Sequence, residues 1–325
     1  MPSELFALGG DLGGTSTRVL VVGADGREHG RGVTGGGNPT TDPAGAAAAL
    51  GDALRAALAG VDPARVRTSV LGVAGGSALR TPAVATHFGA VWAAAGLTCD
   101  PGYVPDLEVA FASGTPEPDG SVLVAGTGAA AGSVVDRRLT RTADGHGWLL
   151  GDDGSGFWLG REAVRATLRT LDAGDRPGPL VDSVLRELGA VLPAEDGRPA
   201  GRRDRVIQVV NSRPGVQLSA LAPLVTAAYR HGDPQAQSIV ERAAVALTAT
   251  LALIRDPAET TPIVLAGSLA GDSSPVGAVL RELLSAGFAG PVHPARTGVG
   301  GAAWLALAAL DPALATPETH ARLCA

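Results

Sequence analysis

Two short turns rich in glycine and threonine lie between apolar runs, and both have the composition of a phosphate-binding turn. The first, Gly13-Gly14-Thr15, follows the run Leu5–Gly10, and the second, Gly126-Thr127-Gly128, follows the run Ser121–Ala125. Glycine lacks a Cβ, so backbone N–H groups can approach an anion closely, and threonine adds a hydroxyl donor. One such turn alone is an ordinary hairpin. The pair predicts a clamp on the β- and γ-phosphates of ATP.

Two aspartates follow predicted strands. Asp11 leaves the first strand beside the first turn, where it can hold Mg²⁺ directly or through water. Asp106 follows the short strand Tyr103–Pro105 and opens a helix at Leu107. A carboxylate at this position is either a helix N-cap or a general base that accepts a proton from a substrate hydroxyl. Its position in the sequence fits both roles.

The segment Gly145–Gly160 combines glycine, carboxylates and aromatic rings, although the chain is only 3% aromatic. A carboxylate beside an aromatic ring is the usual pairing at a carbohydrate site, because the carboxylate bonds to hydroxyls and the ring stacks on a sugar face. The segment predicts a sugar contact at Asp152. The structural alternative is a loop in which Asp153 or Ser155 caps the next helix, and we expect Ser155 to act as the cap.

Two further segments have both a structural and a functional interpretation. Asn38 lies in the loop Gly35–Thr40 directly before a proline, which is a common loop position, or its amide binds sugar hydroxyls. The predicted strand Pro262–Ala266 runs into Gly267. This is either an ordinary strand-to-helix turn or a wall for adenosine, where Gly267 lets the base lie close.

Composition excludes several classes of protein. The chain has 325 residues, no lysine and a formal net charge of −6. Absence of lysine excludes a Walker A loop, the strand lysine of protein kinases and a pyridoxal phosphate Schiff base. The mildly acidic balance argues against nucleic-acid binding. The two cysteines, Cys99 and Cys324, lie far apart without CxxC spacing, which argues against a disulfide framework, a zinc ribbon or a cysteine-ligated cluster. Without a signal peptide or membrane-spanning run, we expect a cytoplasmic protein.

Hydrophobic periodicity predicts the elements that position these residues. The first third has the order βββαβαβα, with its later strands in parallel βα units. Besides the runs named above, we predict strands at 17–23, 28–34, 66–74, 129–135 and 138–142, and helices at 43–59, 84–95, 276–286 and 298–309. A long helical region is predicted at 157–255, with breaks near 174–179 and 193–201.

The pattern of the first half restarts in the second. Each half opens with strands around a glycine–threonine turn, which predicts a duplicated α/β domain with a cleft between the halves. We place the first domain at 1–115 and the second, which carries a helical insertion, at 116–325. We also expect the C-terminal helix to pack back on the first domain.

Together these segments resemble the actin-like ATPase superfamily, which is built from two ribonuclease H-like domains. More narrowly, they are similar to the BadF/BadG/BcrA/BcrD-type ATPase family, which includes N-acetylglucosamine kinase. The resemblance runs from Ala7 to about Ala309, and its most specific piece is Gly147–Trp158. The next is Ala228–Pro234, which resembles the Gly-Asp-Pro turn of the family.

The resemblance implies roles for individual residues and a set of ligands. It implies ATP and Mg²⁺ as cofactors, a small sugar as substrate and a homodimer. The implied sites are metal at Asp11; phosphate at Gly13, Gly14, Thr15, Gly126, Thr127 and Gly128; sugar at Asn38, Asp106, Gly147, Trp148 and Asp152; and adenosine at Gly267 and Ser268.

The leading hypothesis is an ATP-dependent kinase that phosphorylates the 6-hydroxyl of N-acetylglucosamine or a related hexosamine, with Asp106 as general base. Two positions differ from the family pattern, His146 for an expected tryptophan and Ala129 for an expected serine. Glucosamine, glucose or a muramic-type sugar are therefore alternatives. An acyl-CoA dehydratase activator is disfavoured, because it needs a cysteine-ligated 4Fe–4S cluster. A sugar-sensing regulator is disfavoured because the chain has no helix-turn-helix.

Overall fold

A computed structural model describes residues 5–40, 42–190 and 199–325. Its order of elements follows the predicted order, and most boundaries differ from the predicted ones by one or two residues. Most of the helix break predicted near 193–201 lies outside the described residues. The strands are β1 Phe6–Leu12, β2 Thr17–Gly23, β3 Glu28–Thr34, β4 Val66–Val73, β5 Tyr103–Pro105, β6 Gly120–Ala125, β7 Ala129–Val135, β8 Arg138–Asp144, β9 Ile263–Ala266 and β10 Val292–Pro294.

Helices connect these strands, and several begin with a proline in the first turn, where its missing N–H costs nothing. None of the described helices is both long and apolar enough to cross a membrane. The helices are α1 Pro43–Ala57, α2 Pro82–Ala94, α3 Asp106–Gly114, α4 Gly156–Ala173, α5 Pro179–Glu187, α6 Pro199–Asn211, α7 Ala222–Arg230, α8 Pro234–Ala252, α9 Pro275–Gly287, α10 Gly298–Leu310 and α11 Pro317–Leu323.

Two five-stranded sheets repeat one topology. The first has the strand order β3-β2-β1-β4-β5, and the second has β8-β7-β6-β9-β10, so each strand of the first has a counterpart in the second. In the first sheet β1 pairs with β2 antiparallel and with β4 parallel, and β4 pairs with β5 parallel. The predicted α/β class and the repeated domain topology are confirmed.

The chain divides into two compact units. The first unit contains the described residues up to Val122, together with Val134–Thr140 and His293–Ala325. The second unit contains Leu123–Ser133 and the described residues from Arg141 to Val292. The C-terminal helices α10 and α11 therefore belong to the first unit.

The first sheet is covered by helices on both faces, which explains its largely apolar strands. Leu8 and Leu12 of β1 join the core formed with α1 and α2, whereas Ala7 joins the core formed with α3, α10 and α11. Gly9 lies on the second of these faces, and a Cβ there would be 2.2 Å from the backbone nitrogen of Ala303. A glycine in β1 thus allows α10 to lie directly on the sheet.

The core of the second unit is helical as well as sheet-based. Leu123 and Ala125 of β6 pack in one continuous cluster with residues of α4 to α9. Helix α4 begins with Ser155 as N-cap, whose Oγ accepts a hydrogen bond from the N–H of Trp158 at 3.2 Å. The cap predicted at Ser155 is therefore confirmed. It fixes where the loop after β8 ends and α4 begins.

Candidate active site

Asp11 and Asp106 lie at the same edge of the first sheet. Asp11 is the penultimate residue of β1 and is paired in register with Gly72 of β4. Asp106 directly follows β5, whose Pro105 is paired with Val73 of β4. Because β1, β4 and β5 are parallel, their carboxyl ends meet at one edge, with β4 between the two aspartates.

Burial shapes the electrostatics of this pair. It raises the pKa of Asp106, against the opposing effect of hydrogen bonds from backbone N–H groups. It also raises the pKa of Asp11; Arg18 acts in the opposite direction and the Asp106 carboxylate adds to the rise. The Nη1 atom of Arg18 is 3.9 Å from Asp11 Oδ2. The Asp106 carboxylate is thus close enough to Asp11 to oppose its ionisation.

Asp106 is not the N-cap of its helix. Pro105 has the N-cap position, and Asp106 is the first residue of α3. Its Oδ1 accepts a hydrogen bond from the N–H of Leu107 at 3.1 Å. This contact holds the carboxylate at the start of the helix, where the helix dipole favours negative charge.

The first glycine–threonine turn is open. Gly13 donates its N–H to the carbonyl of Ser16 at 2.9 Å and closes the turn between β1 and β2. Gly14 and Thr15 are exposed. Among the described residues other than its two chain neighbours, no heavy atom lies within 4 Å of the position that a Cβ on Gly14 would take. The turn therefore presents backbone and a hydroxyl to the surface of the unit.

The loop that carries Asn38 rests on this turn. Gly37 donates its N–H to the carbonyl of Gly13 at 2.9 Å. A Cβ on Gly36 would lie 2.5 Å from the carbonyl oxygen of Gly14. Asn38 itself is half-buried, and its Oδ1 accepts the N–H of Thr40 at 2.9 Å. The glycines predicted as a loop thus bring Asn38 into the neighbourhood of the first turn.

The start of α10 approaches Asp11, a contact that sequence reasoning missed. A Cβ on Gly298 would lie 2.6 Å from Asp11 Oδ2. Any larger residue at 298 would displace the carboxylate. The signal in the sequence is the glycine-rich start of the helix, Gly298-Val299-Gly300-Gly301, but the element it contacts is nearly three hundred residues away.

The second turn is braced by other parts of its unit. The N–H groups of Gly156 and Phe157 donate to the carbonyls of Gly126 and Thr127 at 2.8 and 3.1 Å. Asp152 Oδ1 accepts the N–H of Ala129 at 3.1 Å. The amino end of α4 and one carboxylate therefore hold the backbone of this turn from outside.

A cavity of about 610 Å³ in the second unit adjoins this turn. The described residues that line it include two arginines and no aspartate or glutamate. Ser274 is buried, is the N-cap residue of α9 and makes no side-chain capping bond; within the described structure its Oγ has no hydrogen-bond partner. The wall of the cavity includes Gly126, Thr127, Arg213, Arg230, Ser268 and Ser274.

Gly267 makes a close approach, but to protein backbone. Its φ is +90°, and a Cβ there would be 2.3 Å from the carbonyl oxygen of Ala125. The sequence predicts that Gly267 leaves space for the base of adenosine. In the structure the close neighbour of Gly267 is the end of strand β6. Ser268 lines the cavity. Leu269 then donates its N–H to the Ala125 carbonyl at 2.9 Å.

The loop between β8 and α4 carries the predicted sugar contacts Gly147, Trp148 and Asp152. Gly147 has a φ of +82°. The Trp148 ring packs 5.5 Å from the Phe157 ring, centroid to centroid, and the side chain remains 39% exposed. Asp152 is buried, and burial raises its pKa although the Ala129 N–H opposes this. Sequence reasoning missed Arg213 and Ser274, which stand in no recognisable motif, and gave no role to Arg230, which lies in the segment Ala228–Pro234.

The fold and the two turns define a class of protein. Two five-stranded sheets share one strand order, and each has a glycine–threonine turn between its first two strands. The family model described as the BadF/BadG/BcrA/BcrD ATPase family matches residues 8–306. The chain therefore belongs to this family, as the sequence resemblance indicated.

One curated relative is the N-acetylmuramic acid/N-acetylglucosamine kinase of Clostridium acetobutylicum. It is 28% identical over 145 residues, which are 43% of this chain and 44% of that protein. The aligned part thus spans less than half of the relative.

Solved structures resemble the whole chain. A provisionally assigned N-acetylglucosamine kinase from Chromobacterium violaceum has a TM-score of 0.75 at 24% identity, covering 94% of this chain and 100% of its own. A ROK family glucokinase from Streptomyces griseus, solved with glucose and AMPPNP, has a TM-score of 0.53 at 20% identity, covering 94% and 98%. At these identities the likeness concerns the fold.

Proposed function

We propose that this chain is an ATP-dependent sugar kinase that phosphorylates the 6-hydroxyl of N-acetylglucosamine or a related hexosamine. The observation that carries the proposal is the pair Asp11 and Asp106 at one edge of the first sheet, in a member of an ATPase family. A kinase needs a proton acceptor for the hydroxyl and a group near the phosphates of the donor. These two carboxylates can divide those roles.

Asp106 is the proposed general base. The 6-hydroxyl oxygen attacks the γ-phosphorus, its proton passes to the Asp106 carboxylate, and the bond from the γ-phosphorus to the β,γ-bridging oxygen breaks as ADP leaves. Burial raises the pKa of Asp106 above its ordinary value of 3.8. The ionised carboxylate is therefore a stronger base than a free aspartate, while the hydrogen bond from Leu107 keeps it in place.

Asp11 is the proposed residue for Mg²⁺. Within the part of the chain that the structure describes, no three His, Cys, Asp or Glu side chains are grouped as a metal site. A half-buried carboxylate beside an open turn nevertheless fits an ion that is held by one or two carboxylates, water and substrate phosphates. When bound, Mg²⁺ neutralises charge on the phosphate oxygens.

Both turns are proposed to bind the phosphates of the donor. Gly13, Gly14 and Thr15 contribute an exposed turn, and Gly126, Thr127 and Gly128 contribute one that is braced by α4. Backbone N–H groups and threonine hydroxyls are suitable partners for phosphate in a chain without lysine.

The cavity of the second unit is proposed to bind the nucleoside. Thr127 and Ser268 lie in its wall, so a nucleoside there extends from the second turn. The buried Ser274 Oγ is a ready partner for a polar atom of the ligand. Arg213 and Arg230 favour a nucleotide, whose phosphates are anionic, because no carboxylate stands opposite them among the described lining residues.

Asn38, Gly147, Trp148 and Asp152 are the proposed sugar contacts, together with Asp106. A hexosamine is supported by the names of the relatives. One relative is a kinase of N-acetylmuramic acid and N-acetylglucosamine, which also supports a muramic-type sugar as the alternative. The homodimer and the cytoplasmic location remain predictions.

A kinetic panel of sugars tests the proposal. The purified chain is assayed by coupled ADP release with N-acetylglucosamine, N-acetylmuramic acid, glucosamine and glucose, and the product is identified by phosphorus NMR. We expect the highest kcat/KM for a 2-acetamido sugar and phosphorylation at the 6-position. Absence of sugar-dependent ADP release with every hexosamine would contradict the proposal.

A further inference from the structure

Asp144, the last residue of β8, has an unusual backbone and an unusual set of contacts. Its φ is +60°, in the left-handed region that favours glycine. Strain of this kind persists in a non-glycine residue only when other contacts enforce it. Asp144 is half-buried and lies outside every role proposed above. Its contacts explain why an aspartate stands there.

Both carboxylate oxygens of Asp144 bind the backbone across the loop. Oδ1 accepts the N–H of Asp152 at 2.8 Å, and Oδ2 accepts the N–H of Asp153 at 3.1 Å. Charge-assisted bonds of this type are about twice as strong as neutral ones. They join the two ends of the segment 144–153, so a single side chain closes the loop that carries Trp148.

The rest of the loop is built around this carboxylate. A Cβ on Gly151 would lie 2.1 Å from Asp144 Oδ1, so position 151 leaves room for no side chain. Asp152, the next residue, is also left-handed, with a φ of +59°. The N–H that Asp144 holds therefore belongs to a residue whose own backbone conformation is unfavourable without support.

The contact continues from Asp152 to the second turn. Asp152 Oδ1 accepts the Ala129 N–H at 3.1 Å, and a Cβ on Gly128 would lie 2.9 Å from both Asp152 oxygens. The Asp144 carboxylate thus holds the backbone of the loop, and the Asp152 carboxylate holds the backbone beside the second turn.

We propose that Asp144 is a positioning residue that fixes Asp152 and, through it, the second turn. The part that concerns sugar binding rests on the proposed function. Asp144 touches neither substrate in this account, and it acts by orienting a residue that does. Its negative charge also opposes ionisation of Asp152, alongside burial and Asp153. In this proposal the hydrogen bonds between Asp144 and the loop backbone stabilise the position of Asp152 by more than this repulsion destabilises it.

Two variants of Asp144 and one control separate positioning from a merely structural role. Asp144→Gly removes both acceptor oxygens, but glycine adopts a φ of +60° more easily than aspartate. If Asp144 served only the backbone conformation, this variant would therefore bind the sugar as well as the wild-type protein. Asp144→Asn keeps one acceptor oxygen and tolerates the left-handed region. Asp153→Asn is the matched control, because it removes an exposed carboxylate of the same loop but no acceptor for a backbone N–H.

Steady-state kinetics give the first readout. We expect Asp144→Gly to raise the sugar KM about tenfold, and Asp144→Asn by less, because charge-assisted bonds to Asp152 and Asp153 are lost. The KM for ATP should rise less than threefold, about 0.6 kcal/mol, because α4 also holds the second turn. Asp153→Asn should leave both constants unchanged. A wild-type sugar KM in Asp144→Gly would overturn the proposal.

Amide hydrogen exchange gives a readout that needs no activity. We expect faster exchange at Asp152, Asp153 and Ala129 in Asp144→Gly, with the rest of the chain unchanged. Unchanged exchange at Ala129 would overturn the link to the second turn. If the wild-type protein phosphorylates no sugar, the proposed function fails by itself, and the exchange at Ala129 still decides whether Asp144 positions the turn.

Discussion

The two glycine–threonine turns occupy equivalent places in two sheets of the same strand order, yet their surroundings differ. Around the first turn the chain is open, and Gly14 and Thr15 are exposed. The second turn is tied by N–H groups of Gly156 and Phe157 and by the Asp152 carboxylate. The first turn stands beside two carboxylates whose pKa values burial raises, whereas the second stands beside a cavity with arginines.

This difference suggests a division of labour between duplicated units. Strand order depends on the hydrophobic pattern, which is similar in the two sheets. The chemistry of a site depends on the few residues at the carboxyl ends of its strands, and these can differ between sheets of the same order. In our account the first unit supplies proton transfer and the metal contact, and the second supplies the nucleoside cavity and the loop that carries Trp148 and Asp152. Variants of the carboxylates in the first unit should therefore change kcat, and variants in the second should change stability or the binding of donor and sugar.

Replacing the proposed base should have the largest effect. Asp106→Asn keeps an acceptor for the Leu107 N–H but cannot take the proton, so kcat should fall about 10³-fold while ATP still binds. Asp52→Asn is the control, because it removes only an exposed carboxylate paired with Arg55. Comparable turnover numbers for Asp106→Asn and the wild-type protein would refute Asp106 as base.

The close approach of Gly267 to the end of β6, beside the second turn, should be sensitive to one added methyl group. In Gly267→Ala the Cβ would be 2.3 Å from a backbone oxygen at a φ of +90°, and neither atom can move away easily. We expect a loss of about 3 kcal/mol, seen as a Tm lower by about 6–12 °C. Gly14→Ala is the counterpart in the open turn and should leave the Tm unchanged. Equal Tm values for both variants would remove the contrast between the turns.

Moving the Asp11 carboxylate should reduce turnover without unfolding the chain. In Gly298→Ala the new Cβ displaces the end of the Asp11 side chain, which can rotate. We expect turnover to fall about 10²-fold, as for other small misplacements of catalytic groups. Gly89→Ala, in an open part of α2, should instead stabilise the protein by about 0.5–1 kcal/mol. Full activity of Gly298→Ala would show that Asp11 is not needed in its observed position.

The smallest predicted effect concerns stability and pH. Burial raises the pKa of Asp106 above 3.8, so the Asp106 carboxylate binds a proton more tightly in the folded protein than in the unfolded chain. The charged form therefore destabilises the fold above the raised pKa, and the penalty disappears below 3.8. Asp106→Asn should raise the Tm at pH 7 by less than about 4 °C and leave it unchanged at pH 3. A lower Tm at pH 7 would contradict the raised pKa.

Much of the fold could be predicted because strands and helices leave a periodic signal. The predicted strands at 28–34 and 129–135 match β3 and β7 residue for residue. Segments too short to show a period are found unevenly: the three-residue strand β5 was predicted, whereas the three-residue strand β10 and the seven-residue helix α11 were missed. β8 was predicted to end at 142, and its last residues include Asp144.

The candidate site could be predicted only where one segment carries the signal. Asp11, Asp106 and both turns stand out by residue type and by their place after strands. Gly298 and Asp144 do not, because their importance depends on contacts with Asp11 and Asp152 that arise in the folded chain. The sequence indicates that a close approach occurs at Gly267. It does not indicate that the approaching group is the backbone of β6, because that is a tertiary contact.

A crystal structure with a non-hydrolysable ATP analogue and N-acetylglucosamine would test the central claim most directly. We predict that phosphate oxygens lie within hydrogen-bond distance of the hydroxyls of both Thr15 and Thr127. We also predict that the sugar 6-hydroxyl lies within hydrogen-bond distance of the Asp106 carboxylate. A triphosphate bound away from both turns would contradict the account.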